Sequence, residues 1–179
     1  MARRSTTARR VQVYTDPLQH ALIAAAVAAP LVRPAGRRVL ASAVAAALVI
    51  DVDHAVAARS VRIRDTTALR TRPRTHSLIT AAAAGAAMAS AAGPVHGWAV
   101  FGALASHLLH DSGDRAAPTP VLWPFAPARQ YGRRTQAIGT AVLVLSSLAV
   151  SRAMAGTSRG PSSAACADAG GASARPRTA

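Results

Sequence analysis

The chain has 179 residues and carries 21 Arg against seven Asp, with neither Lys nor Glu, for a formal net charge of +14. Its apolar half could fill the core of one domain, and the single Cys166 excludes an intramolecular disulfide and any Cys-based metal site. Two Phe, two Trp and two Tyr are too few to interleave with the Arg residues, which lie between the apolar runs rather than along them; no nucleic-acid partner is expected, and charged loops flanking membrane segments are.

Residues 1–16 form a basic N-terminal segment, MARRSTTARR followed by VQVYTD, with the charge of a signal n-region. The first apolar run begins only after Asp16, so the segment reads as retained rather than cleaved. Five apolar stretches follow, at 17–32, 39–50, 77–92, 96–109 and 136–150. Each is shorter than the roughly 20 residues that span a bilayer comfortably, and each is rich in Ala. They nevertheless lack internal charge, whereas a soluble helix of this length shows a charged face at helical spacing. Residues 77–109 run for 33 positions without a formally charged side chain, broken only by AAGPVHG, which predicts a helical hairpin turning near Gly93 and Pro94. The stretch at 39–50 reaches spanning length only if it continues through Val52 and Ala55 to Ala58. The competing reading is a soluble all-α domain, or a peripheral protein with a few inserted helices.

The expected fold class is therefore an all-α, multi-pass membrane helical bundle of four core helices plus a fifth, C-terminal helix. Its organisation reads as the basic segment 1–16, a helical core over 17–126, the fifth helix within 127–151, and a disordered tail over 152–179, where Gly, Ser, Ala and Pro follow no period. Residues 58–74 and 111–134, rich in Arg, Gly and Pro, are loops.

Alternation across a membrane brings the starts of odd helices and the ends of even helices to one side. His20 then meets Asp51, Asp53 and His54 of VIDVDH, His76 of THSL, and His107, His110 and Asp111 of SHLLHD; only His96 falls at the opposite turn. The N-terminus and the two long loops on that side hold fourteen Arg against seven elsewhere, which places the site in the cytoplasm by the positive-inside rule. His107 and Asp111 are four apart and share a helix face, as do Asp51 and His54 at three; Asp53 points elsewhere unless the helix ends there or a second ion is served. His110 is open as ligand, support or bystander. Carboxylates and imidazoles in a dry setting cost several kcal/mol each if charged and unpaired, and a divalent cation removes that cost. His and Asp without Cys suit Zn, Mn or Fe, one to three ions.

These residues also carry a resemblance. His20, DVDH at 51–54, RTHSL at 74–78, HLLHD at 107–111 and LWPF at 122–125, in that order, resemble the YdjM-like family, described as LexA-binding, inner-membrane-associated metal-dependent hydrolases. The resemblance covers about residues 17–126. It implies metal-binding roles for His20, Asp51, Asp53, His54, His76, His107 and Asp111, with Arg72 at the place of the motif arginine. It also implies an inner-membrane location and a distant likeness to zinc-dependent phospholipase C. Three positions depart from the family pattern: Ile50 replaces the Pro before the first Asp, Thr71 the His of HRG, and Pro73 its Gly.

The function expected from residues and resemblance together is a membrane-bound metal-dependent hydrolase acting on a phosphoester or lipid-linked substrate through metal-activated water. In it Asp53 has a catalytic part, and Arg72 and Arg74 stabilise developing negative charge. The lipid bilayer is the expected partner. A non-enzymatic membrane protein, either a metal-stabilised scaffold or a metal or ion transporter, is the alternative from another class. A regulatory protein contacting a transcription factor through its Arg-rich loops is a third.

Overall fold

A computed structural model describes residues 6–113 and 117–157, with side chains from residue 16 onward apart from 63 and 157. The tail expected to be disordered over 152–179 is helical as far as Thr157; its remainder from 158 onward and residues 1–5 lie outside the described residues. The helices are α1 (Thr6–Ala28), α2 (Val32–Ala35) after a 3-10 turn, α3 (Arg38–Val49), α4 (Val52–Ala58), α5 (Ile63–Thr66), α6 (Leu78–Ala92), α7 (Pro94–Gly113) and α8 (Gly132–Thr157). Among the described residues there is no strand, only an isolated bridge between Thr119 and Arg129.

The bundle is built around α7. Helices α1, α3, α6 and α8 all pack on it, and it is buried at positions from Val95 to Ser112. Small side chains make this possible. Gly97 sits so close to α6 that an added Cβ would lie 2.5 Å from the Ala89 Cβ and 2.6 Å from the Gly85 carbonyl oxygen. Around α7 the core is mostly alanine, with Ala24 and Ala28 of α1, Ala43 and Ala47 of α3, and Ala99 and Ala103 of α7 fully buried. Close backbone approach through small residues is how helices associate where lipid removes the hydrophobic drive between them.

Three helical stretches are long and apolar enough to cross a membrane: Asp16–Ala35, Arg38–Ala58 and Gly132–Gly156. Their outer faces are apolar and exposed, with Leu18 and Leu22 on α1, Val49 on α3, and Ile138, Val142 and Leu145 on α8. The hairpin of α6 and α7 turns at Gly93, whose φ of 93° is the left-handed region open to glycine, as the AAGPVHG break predicts. Helix α6 is a shorter apolar helix.

Two elements differ in extent from the apolar stretches that announce them. Helix α1 begins at Thr6 and carries Pro17 inside it, and α8 continues past 151 to Thr157; good helix formers, Ala8, Arg9, Arg10 and Gln12 in the first and Arg152, Ala153, Met154 and Ala155 in the second, extend an apolar segment. The stretch at 39–50 does continue to Ala58. The chain tightens over Ile50 and Asp51, where Asp53 N–H donates to the Ile50 carbonyl at 3.2 Å and His54 N–H to that of Asp51 at 3.1 Å, so α3 and α4 form one interrupted rod with DVDH at the interruption.

The α6–α7 contact is the tightest test of this packing. Gly97→Val should lower stability by about 1–3 kcal/mol, the usual cost of overpacking, read as a lower thermal unfolding midpoint in detergent. Gly156→Ala, with open space around it in α8, should not lower the midpoint, Ala being the better helix former.

Candidate metal centre

Five segments deliver ionisable side chains to one end of the bundle: α1 brings His20, the interruption and α4 bring Asp51, Asp53 and His54, the loop before α6 brings Arg72 and His76, and α7 brings His107 and Asp111. Ser77 caps α6, its hydroxyl accepting from Thr80 N–H, and this turn fixes His76 just outside the helix, fully buried. His107 and Asp111 stand one turn apart on α7, each about 1% exposed.

Four atoms face one another: Asp51 Oδ1, His76 Nε2, His107 Nε2 and Asp111 Oδ2. The separations are 3.7 Å between Asp51 and His76, 3.3 Å between Asp51 and His107, 3.4 Å between His76 and Asp111, and 3.2 Å between His107 and Asp111. An ion holding N and O ligands tetrahedrally at about 2.0–2.1 Å keeps each pair about 3.3–3.4 Å apart, and these four of the six pairs lie between 3.2 and 3.7 Å. Three of the four, His76 Nε2, His107 Nε2 and Asp111 Oδ2, are buried without a hydrogen bond among the described residues, and Asp111 Oδ2 has only its ion pair with Arg72 beside them. Buried polar atoms are otherwise almost always paired, so a donor set of this chemistry fits a divalent cation.

The surrounding groups orient these donors. Asp53 Oδ2 accepts the His76 Nδ1–H at 2.9 Å and a hydrogen bond from Thr75 Oγ1. That fixes the His76 tautomer and leaves the Nε2 lone pair facing the other donors, the carboxylate–histidine arrangement found behind metal ligands. His54 Nε2 accepts from Arg72 Nη1 at 3.3 Å, while its Nδ1 lies 3.1 Å from Asp53 Oδ1 and 3.6 Å from Asp51 Oδ1. Arg72 Nη1 also pairs with Asp111 Oδ2 at 3.1 Å. His20 stacks on His107 with centroids 3.7 Å apart and places Nε2 3.4 Å from Asp111 Oδ1. Three overlapping triads could hold an ion: His20, Asp51 and His107; Asp51, His54 and His76; and His76, His107 and Asp111.

Charge points the same way. Asp51, Asp53 and Asp111 carry three negative charges, and among the described residues Arg72 is the one guanidinium paired within this set. With neutral imidazoles, two negative charges are uncompensated. Burial disfavours the charged form of His76, but the carboxylates of Asp51, Asp53 and Asp111 outweigh it and raise its pKa above the ordinary histidine value.

The seven residues expected to bind metal, with Arg72, are thus brought together. Arg74 is not: it is exposed and lies over the Trp123 ring at 5.8 Å. The structure adds three contacts that the motifs do not reveal. Thr75 supports Asp53, His110 sets its ring edge-on to His20 at 4.7 Å, and Gln136 of α8 bonds His110 Nδ1 at 2.8 Å. Gln136 had one visible sign, as an amide opening an otherwise apolar stretch. Thr71, where the family pattern has His, is exposed, so that departure removes no donor from the buried set. Pro73 still makes the turn, its carbonyl accepting from His76 N–H at 3.0 Å.

Membrane-length helices closed around buried His and Asp donors define the class: an all-helical membrane protein whose one end could hold a metal ion. The chain belongs to the YdjM inner membrane protein family, whose model matches residues 16–170. The match takes in the motifs of the core and extends through α8. No curated protein and no solved structure matches the chain.

The geometry separates ligands from supports. His107→Ala and Asp111→Asn should each abolish stoichiometric metal in purified protein. Asp53→Asn, which keeps an oxygen for His76 and Thr75, should retain the metal with affinity weakened by about 10–100-fold. Elemental analysis and competition with a chelator read both; complete loss of metal in Asp53→Asn would make Asp53 a direct ligand.

Proposed function

We propose that the protein is a membrane-bound metal-dependent hydrolase of phosphoesters, lipid-linked ones among them, with its site on the cytoplasmic side. The observation that supports this most is the set of close-lying donors on Asp51, His76, His107 and Asp111, the two imidazole Nε2 atoms among them buried without a hydrogen bond, beside two uncompensated negative charges. These four would hold the ion, with His20 and His54 flanking it to extend the site to a second or third. The donor set contains N and O but no S, which favours Zn, with Mn or Fe as alternatives. A bound divalent ion would supply Lewis-acid polarisation of a phosphoryl oxygen and a water of lowered pKa.

The chain's own residues divide the remaining work. Asp53 holds the His76 tautomer and so keeps its Nε2 available. Arg72, anchored by Asp111 and His54, presents guanidinium charge at the edge of the set, where a phosphoryl group gains negative charge. Arg74, resting on Trp123, serves the loop instead. Asp51 is the most open member of the set at 34% side-chain exposure, while His76, His107 and Asp111 are at 1% or less. Substrate therefore enters past the α3–α4 interruption, and the buried wall behind it excludes water from the opposite side.

Purified full-length protein in detergent, loaded with Zn, should hydrolyse p-nitrophenyl phosphate or its bis ester. A chelator should abolish turnover and added Zn restore it, and Arg72→Gln should lower kcat by about a hundredfold. A metal-loaded protein inert towards both esters, or turnover indifferent to His107→Ala, contradicts the proposal. The orientation has its own test. In a Cys166→Ser background, Thr67→Cys should react with a membrane-impermeant maleimide in inverted vesicles and not in intact cells; the reverse pattern puts the site on the other side.

A further inference from the structure

The outer side of α4 carries a feature that metal binding does not use. Val52, Ala55, Val56 and Arg59 follow the i, i+3, i+4, i+7 spacing of one helix stripe, next to the stripe that gives Asp51 and His54 to the cluster. At Arg59 the backbone turns left-handed, with φ of 50°, and Ser60 N–H donates back to the Ala55 carbonyl at 3.1 Å. The chain therefore returns beside its own helix. Between the two lies an open groove of about 640 Å³ lined by Val52, Ala55, Val56 and Val61, with Arg59 and Arg62 on its rim.

Several properties set the groove apart from an ordinary lipid-facing surface. Val52, Val56 and Val61 are 60%, 72% and 90% exposed, an apolar strip that water would not favour. Among the described residues neither Arg59 nor Arg62 has a carboxylate partner, so two guanidinium groups are free to meet an anion. The Val52 and Val56 part of the strip belongs to the candidate span Arg38–Ala58, and Val61 lies just beyond the end of that span. It also begins at Val52, between Asp51 and Asp53, where the cluster is most open. Arg59 lies eight residues beyond Asp51, about 12 Å along a helix, within the reach of one amphiphile. An apolar strip, a cationic rim and an adjoining metal-type donor set together match a molecule with an acyl chain and an anionic phosphoryl head.

We propose that the α4 groove binds a lipid phosphate, its acyl chain along Val52, Val56 and Val61 and its phosphoryl group guided by Arg59 and Arg62 towards the His/Asp cluster. The destination of the phosphoryl group rests on the hydrolase reading above; the groove's occupancy by lipid does not.

The test uses the full chain in phosphatidylethanolamine–phosphatidylglycerol nanodiscs, with a trace of phosphatidic acid bearing a diazirine in its acyl chain. After irradiation, label should concentrate on residues 52–62 and fall several-fold with excess unlabelled phosphatidic acid but not with phosphatidylcholine. Val56→Asn, and Arg59→Gln combined with Arg62→Gln, should each reduce that label several-fold at unchanged bound metal, which shows that the bundle is intact. Label spread over the outward faces of α1 and α8 in proportion to exposure, or unaffected by phosphatidic acid, overturns the groove. The two proposals fail separately. Groove labelling without hydrolysis of either p-nitrophenyl ester sustains the lipid site and sinks the hydrolase. Hydrolysis of those esters with evenly spread label does the reverse.

Discussion

The constraint that the rest of the structure answers to is the burial of Asp111 and His107 at the end of α7. Each is about 1% exposed, and their donor atoms are 3.2 Å apart. A carboxylate removed from water without full compensation costs several kcal/mol, comparable to a domain's entire net stability. One guanidinium from Arg72 offsets part of this for three carboxylates. The imidazoles of His20, His54, His76 and His107 supply lone pairs, but as neutral rings they add no charge. A divalent ion resolves the imbalance and uses the orphaned atoms at once, so the same atoms that burden an ion-free fold become its means of holding an ion.

Such a site needs walls that do not shift, and the sequence supplies them with small residues rather than large ones. Helix α7 is enclosed because Gly85, Ala89 and Gly97 let α6 approach it backbone to backbone, and because α1 and α3 offer alanines to it. Close packing of this kind fixes crossing positions to within a fraction of an ångström, the tolerance that metal ligands require. The interruption at Ile50 and Asp51 adds a local adjustment. By tightening there, the chain turns Asp51 and Asp53 to opposite nitrogens of His76, so that one faces Nε2 and the other accepts from Nδ1. A continuous α-helix spaces positions i and i+2 about 200° apart, and would aim one of these carboxylates away.

That adjustment marks the boundary of what the sequence makes legible. The all-helical bundle, the hairpin turn at Gly93 and the meeting of His20, DVDH, His76 and HLLHD follow from charge-free apolar runs and from the geometry of alternation. Family membership follows from the order of the motifs, and the match over residues 16–170 bears it out. What periodicity does not carry is division of labour within the cluster. Asp51 and Asp53 are the same residue type two positions apart, and only the tightened turn assigns one to the facing donor atoms and the other to the back of His76. Gln136 and His110 escape for a different reason, since their contact joins segments far apart in sequence and leaves no spacing to read. Arg72 and Arg74 likewise look equivalent in RTRPRTH. Pro73 between them sends one guanidinium to Asp111 and the other onto Trp123.

The centre itself is the claim on which the functional reading depends, and metal K-edge X-ray absorption on natively purified, full-length protein addresses it most directly. The account predicts a first shell of nitrogen and oxygen at about 2.0–2.1 Å, with the multiple scattering of at least two imidazoles and no sulfur. Absence of a stoichiometric metal, or a first shell without imidazole, would contradict it.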